Sequence, residues 1–333
     1  MSESWLCAAD MVRRPHFPRT ADSHVTNLSQ AALALRRLPL AALLLSCAVC
    51  LAGCNLIVLD PKGPIAAGDA TILVDSTVIM LAIVVPTIIA TLAFAWWYRA
   101  SNPRARRQTE FVYSGQVEIV TWSIPLLTIM LLGGVIWIGS QELDPATPLA
   151  SQYAALNVQV VSLDWKWLFI YPEQRVASVN RLVIPVGVPV RFALTSGSVM
   201  NTFFVPQLGS MIYTMNGMES TLYLMADEPG TYLGESNMIS GDGYPDMHFD
   251  AEALAPDRFN AWVNETRGGG SETLTSQAYR DLAKQSVIPT PIAYRDLEEG
   301  LFHKITTHAI PPAPGPEAEP SPATKQGQEG QER

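Results

Sequence analysis

The chain has 333 residues and a net charge of −9, enough for one sizeable domain beside membrane segments. From residue 140 onward, 12 basic residues stand against 23 acidic ones, a net of −11. No basic face is evident outside 99–116, so nucleic acid is not an expected partner. All four cysteines (Cys7, Cys47, Cys50 and Cys54) fall in the first 54 residues, which excludes a disulfide framework or a thiolate-held metal from the remainder.

Residues 1–30 are mixed, with Pro15, Pro18 and scattered charges, and the true start of translation is expected downstream of Met1. Arg36 and Arg37 precede the apolar run 38–51, a basic region and hydrophobic region of signal-peptide length. That run ends in Leu51, Ala52, Gly53 and Cys54, which resembles a bacterial lipobox. The resemblance makes Cys54 the lipidated first residue of the mature protein, with 1–53 removed and 54–75 on the outer side.

Two apolar segments follow, 76–98 and 117–139, each free of charge for about 20 residues and so long enough to span a bilayer. Pro86 interrupts the first; Glu118 and Pro125 lie in the second. Trp96, Trp97, Tyr98, Trp122 and Trp137 sit toward the ends, as interfacial aromatics do. The loop 99–116 carries Arg99, Arg104, Arg106 and Arg107 against Glu110 alone, so the positive-inside rule holds it in the cytoplasm. Everything after residue 140 is then periplasmic, the orientation that a lipidated Cys54 also requires.

From Leu156 to Ala253 short apolar runs alternate with Pro, Gly and Asp turns. Residues 156–160, 181–185, 188–194, 201–205, 221–225 and 231–235 read as strands, which argues for an antiparallel sandwich or barrel. Residues 257–266 read as a helix with Phe259, Trp262 and Val263 on one face. A Gly run at 268–270 marks a boundary. Beyond it, 273–285 and 292–307 are expected to be amphipathic helices of a C-terminal arm ending at 310. The tail 311–333, rich in Pro, Glu and Gln, is expected to be disordered.

Within the β-region, residues 232–247 keep the spacing of a dinuclear copper loop, Cys-x3-Cys-x3-His-x2-Met, without its ligands. The two thiolate positions are Ser236 and Ser240, the imidazole position is Tyr244, and only Met247 remains. Bridging two copper ions and delocalising an electron between them needs soft thiolate sulfur, and a serine hydroxyl is a hard, weak substitute.

The assembly of segments resembles subunit II of haem–copper terminal oxidases, and most closely subunit II of cytochrome bo-type ubiquinol oxidases. The resemblance is carried by residues 59–63 after Cys54, 94–102 closing the first span, 117–125 opening the second, 161–173 with Trp165, Lys166 and Trp167, and 198–209. It implies a two-helix transmembrane hairpin followed by a cupredoxin-like Greek-key domain over 140–267. It also implies that Asn201 stands where copper-bearing relatives have a His ligand, and Met238 where they have a Glu carbonyl donor. Both thiolates and both imidazoles of that ligand set are gone. Met247 is then a core or loop residue, and His248, although the β-domain's sole histidine, matches no ligand position.

The family plan implies no cofactor in this chain, with haem groups and copper in subunit I. Partners would be subunits I, III and IV, membrane lipid and, for the whole complex, ubiquinol, with no role for cytochrome c. Trp165 and Trp167, two apart on one expected strand, share a face and are read as packing or interface anchors. Glu118 and Trp122 are further interface candidates. The function implied is that of a structural, non-redox subunit of a proton-pumping ubiquinol:oxygen oxidoreductase in the bacterial inner membrane. Two alternatives stay open: a free-standing membrane lipoprotein whose cupredoxin-like domain serves binding or assembly, and a cytochrome c oxidase subunit II with an atypical copper site.

Overall fold

A computed structural model describes residues 56–106, 110–269 and 271–315. Cys54, the expected signal segment and residues 316–333 lie outside the described residues. Two long helices come first, α1 (Pro64–Trp97) and α2 (Gly115–Glu142). Both are long and apolar enough to cross a membrane, and their large side chains, from Val78 to Trp97 and from Val117 to Ile138, are exposed. They touch each other where glycines allow it. A Cβ on Gly139 would fall 2.4 Å from Ile72 Cδ1, and one on Gly68 would fall 2.7 Å from Leu143 Cδ2.

With 34 residues, α1 is about 51 Å long at 1.5 Å per residue, well beyond the ~20 residues that a bilayer core needs. Its first turns pack on the β-domain instead, with Ile65 and Ala66 buried. Lys62 N donates to Gln207 O (2.7 Å), Asp227 N to Lys62 O (2.8 Å) and Ala66 N to Leu208 O (3.3 Å). Lys62 Nζ also reaches Glu228 at 3.0 Å, and Ser210 Oγ donates to Asp69 at 2.7 Å. Gly63 makes the approach possible, since a Cβ there would lie 2.2 Å from Met225 O.

The β-domain holds β1 (Leu156–Leu163), β2 (Lys166–Tyr171), β3 (Val176–Val179), β4 (Arg181–Pro185), β5 (Val190–Ser196), β6 (Asn201–Phe203), β7 (Ile212–Thr214), β8 (Ser220–Leu224), β9 (Gly230–Glu235) and β10 (His248–Leu254). β11 (Ile292–Tyr294) joins from the C-terminal arm. The large sheet runs β11-β3-β2-β1-β5-β8, and β4-β10-β9 and β6-β7 form smaller sheets. The fold is the expected cupredoxin-like sandwich, but it is mixed rather than antiparallel: β1 pairs β5 in parallel, and β10 pairs β4 in parallel. Parallel neighbours need a long connection, and the segment carrying β2, β3 and β4 supplies it between β1 and β5.

Every residue of β2 is buried, because the large sheet is covered on both faces. Alternation along the strand sends Trp167, Phe169 and Tyr171 to the inner core. There Trp167 meets Phe203 and Phe249 edge-on, each at 5.6 Å between ring centroids. Leu168 and Ile170 face the other way, into a second core shared with Leu282, Leu301, Phe302 and Ile305 of the C-terminal arm.

That arm follows α3 (Pro256–Gly269) and contains α4 (Ser276–Leu282), β11 and α5 (Leu301–Thr306). The expected helix at 292–307 is thus a strand and a short helix. Ile292 and Tyr294 extend the sheet edge beside β3, and Gly300, at φ 70°, opens α5 in the left-handed region. Just beyond the arm, Ala313 N donates to Gly197 O at 2.8 Å.

Lys166 fastens the arm. It is fully buried on the outer face, and its Nζ donates to Lys284 O (2.7 Å), Ser286 O (3.0 Å) and Ser286 Oγ (2.7 Å). Asn180 Nδ2 holds the next turn through Ile288 O at 2.9 Å. Burial pushes the Lys166 ammonium down to about 8, with the nearby Asp164 charge opposing the shift. A lysine whose folded pKa is lowered binds fewer protons when folded than when unfolded, between about 8 and the unfolded value of 10.5. Its contribution to stability therefore rises as pH climbs through that window. The expected result is a thermal midpoint whose pH dependence from 8 to 10 carries a stabilising slope in the wild type, and a lesser slope in Lys166→Met. Parallel pH–Tm curves for the two proteins would contradict this.

Candidate functional site

The loop that keeps copper-site spacing leaves β9 at Glu235 and returns as β10 at His248. Phe204 and Glu235 bridge its base, exchanging backbone hydrogen bonds of 3.2 and 2.9 Å. Ser236 is buried, and its hydroxyl is fully engaged. It donates to Asn201 Oδ1 (3.2 Å) and accepts from Thr202 N (3.4 Å) and Met238 N (3.3 Å). Asn201, also completely buried, opens β6, and its carboxamide nitrogen donates to Val199 O at 3.4 Å. Ser240 and Met247 meet at the other end of the loop, Oγ to Sδ at 4.0 Å.

Two expected pairs of ligand positions are thus together, Asn201 with Ser236 and Ser240 with Met247. Met238 joins only through its backbone N–H. Tyr244 opens a 3-10 turn, Tyr244–Asp246, and its ring is partly exposed rather than directed at those pairs by any hydrogen bond. His248 is exposed on β10. Glu118 and Trp122 lie on the outward surface of α2, Glu118 in its first turn.

Trp165 departs from expectation. Leu163 pairs with Lys166, so Asp164 and Trp165 form the two-residue turn between β1 and β2, and Trp165 shares no strand face with Trp167. Its φ of 65° is rare for a bulky residue and costs on the order of 1–3 kcal/mol. The loop supports it there. The indole Nε1 donates to Ser240 O at 2.9 Å, and the ring covers Gly243 so closely that a Cβ there would lie 2.1 Å from Trp165 Cδ2. Trp167 lies in the same buried cluster as Trp165, and among the described residues its buried indole N–H has no hydrogen-bond partner.

Other side chains complete the site. Thr202 Oγ1 accepts from Asn237 N at 2.6 Å. Thr214 Oγ1 donates to Asn201 O at 3.2 Å and lies 2.8 Å from Ser162 Oγ. β1, β6 and β7 each carry a single Ser or Thr, so local composition did not mark these residues, and only strand pairing shows that they converge.

The donor set is therefore hydroxyls, one carboxamide and one thioether, already bonded to each other and to backbone. A dinuclear copper centre needs bridging thiolates and imidazoles, and these residues do not fit it. Among the described residues no group of three or more His, Cys, Asp or Glu is placed to hold a metal ion.

Comparison with known proteins agrees with this geometry. The family model for the periplasmic domain of cytochrome c oxidase subunit II matches residues 156–253. The ubiquinol oxidase subunit 2 of Acetobacter aceti is 49% identical over 263 residues, covering 78% of this chain and 85% of that protein. The cytochrome bo(3) ubiquinol oxidase subunit 2 of Pseudomonas aeruginosa is 42% identical, covering 78% of each chain. The quinol oxidase subunit 2 of Bacillus anthracis is 35% identical, covering 75% of this chain and 87% of that protein. With this likeness running through both long helices and the β-domain, the chain belongs to the family of ubiquinol oxidase subunit 2.

Proposed function

We propose that this chain is the structural, non-redox subunit II of a proton-pumping ubiquinol:oxygen oxidoreductase. The observation that carries the reading is the state of the loop: Ser236, Asn201 and Ser240 are bonded within the protein where a copper relay would need thiolates and imidazole. Ubiquinol is lipid-soluble and reaches an oxidase from within the bilayer, so an external copper relay is not required. The names of the three relatives compared above, each a ubiquinol or quinol oxidase subunit 2, support the same assignment.

In this reading α1 and α2 cross the inner membrane against the haem-bearing subunit I, with subunits III and IV in the same complex. The β-domain caps the periplasmic face, and lipid on Cys54 adds a further anchor. Haem and copper belong to subunit I. Exposed apolar helices support a membrane location, and the acidic β-domain serves solubility rather than cytochrome c docking.

The deciding experiment is oxygen consumption by the complex affinity-purified through this chain. Rapid turnover with ubiquinol and none with reduced cytochrome c is expected. Turnover with cytochrome c would overturn the non-redox role, and a stable preparation without haem would point to a free-standing lipoprotein.

A packing role for Trp165 makes a separate prediction. Trp165→Ala should lower the unfolding free energy of the domain by about 3–5 kcal/mol, the usual cost of truncating a large buried side chain. Turnover per haem in whatever complex assembles should be unchanged. A variant of native stability with slowed turnover would assign Trp165 an electron-transfer role.

A further inference from the structure

The turn that closes α1 carries cations that no other part of the described chain uses. Asn102 builds the turn: its Nδ2 donates to Trp97 O at 2.6 Å, and its Oδ1 accepts from Arg104 N at 3.2 Å. Arg99 folds back over the helix end. Its guanidinium lies 4.9 Å from the centre of the Trp96 ring, and it donates to Ser101 Oγ (3.0 Å) and Trp96 O (3.4 Å). Arg99, Arg104 and Arg106 are all exposed, and among the described residues none of them meets a carboxylate. Residues 96–106 contain no acidic side chain at all.

The position of these charges defines their chemistry. Trp96, Trp97 and Tyr98 are exposed at the end of the apolar helix, the level at which indole and phenol rings lie among lipid headgroups. Stacking on Trp96 fixes the Arg99 guanidinium at that same level by a cation–π contact. Its planar fork suits two oxygens of a phosphodiester. Arg104 and Arg106 add charge beside it, and a juxtamembrane basic residue attracts anionic lipid with an affinity gain of about fivefold.

We propose that Trp96, Arg99, Arg104 and Arg106 form a binding surface for the headgroup of an anionic phospholipid in the cytoplasmic leaflet. The proposal rests on the reading that α1 and α2 cross the membrane. Charge complementarity selects the occupant: a zwitterionic headgroup would bring a second cation toward three uncompensated arginines, whereas a phosphatidylglycerol headgroup brings only the phosphate.

The test uses the intact complex, purified through this chain in detergent and examined by native mass spectrometry. It is titrated with phosphatidylglycerol or with phosphatidylcholine of the same acyl chains, and inorganic phosphate is the third probe. Phosphatidylglycerol adducts should form at about a hundredfold lower concentration than phosphatidylcholine adducts, and the preference should fall about fivefold with each arginine removed, to near equality in R99Q/R104Q/R106Q. Trp96→Leu, which keeps every charge, should reduce it as well and serves if the triple variant assembles poorly.

Equal binding of the two lipids, or a preference that survives the triple variant, overturns the proposal. Complete competition by millimolar inorganic phosphate would make this a free-anion site, and loss of another subunit with lipid binding unchanged would make it a protein contact. Either result overturns the proposal too. Resistance of the chain to alkaline carbonate extraction reports membrane embedding whatever the lipid class, so a failure of the spanning reading is seen separately.

Discussion

β2 is buried on both faces, and most of the domain is arranged around that constraint. A strand with one wet face could end its fold at the inner aromatic core. Here Lys166, Leu168 and Ile170 lie on the opposite side, so a further layer must exist to cover them. The C-terminal arm is that layer, and its short, irregular elements make sense as a cover whose shape is dictated by the sheet beneath. The buried ammonium of Lys166 is the polar counterpart of this cover. It cannot reach water, so its three hydrogen bonds must come from the arm, and those bonds fix where the chain lies after α4.

The same logic of satisfying what is buried explains the copper-type loop. Polar groups buried at these positions would be expensive if left without partners. In this chain Asn201, Ser236, Thr202 and Thr214 bond one another and the surrounding backbone, while Trp165 and Gly243 interlock over the far end. The loop is held by hydrogen bonds and an indole. Its conformation therefore serves packing, and the strained backbone at Trp165 is the residue of that arrangement.

Much of this was legible in the sequence, for identifiable reasons. Uninterrupted apolar runs disclosed both long helices, and Arg181–Pro185 stood out as a strand because Asn180 and Val186-Gly187 bound it with turn residues. The family resemblance placed Asn201 and Ser236 among one set of ligand positions, and the two are hydrogen-bonded here. What spacing could not disclose is register and handedness of connection. The parallel pairing of β1 with β5 depends on contacts 34 residues apart, such as Leu156 with Val190. Local pattern also misled at Trp165, where alternation suggested a strand and a left-handed turn stands instead. It misled again over 292–307, expected as one helix, where Ile292–Tyr294 pairs with the sheet edge beside β3 and only Leu301–Thr306 is helical.

The first helix deserves a mechanical reading. α1 is continuous from Pro64 to Trp97, and its upper end is clamped to the β-domain by Lys62, Gly63, Ala66 and Asp69 with no flexible linker between. A helix secured in this way couples the β-domain to its own first turns, as far as the break in backbone hydrogen bonding at Pro86. A tilt of the segment ahead of Pro86 turns the β-domain with it, and force on the domain returns as torque on that segment. The domain's orientation is thus tied to the packing of the two long helices, rather than set by the β-domain alone.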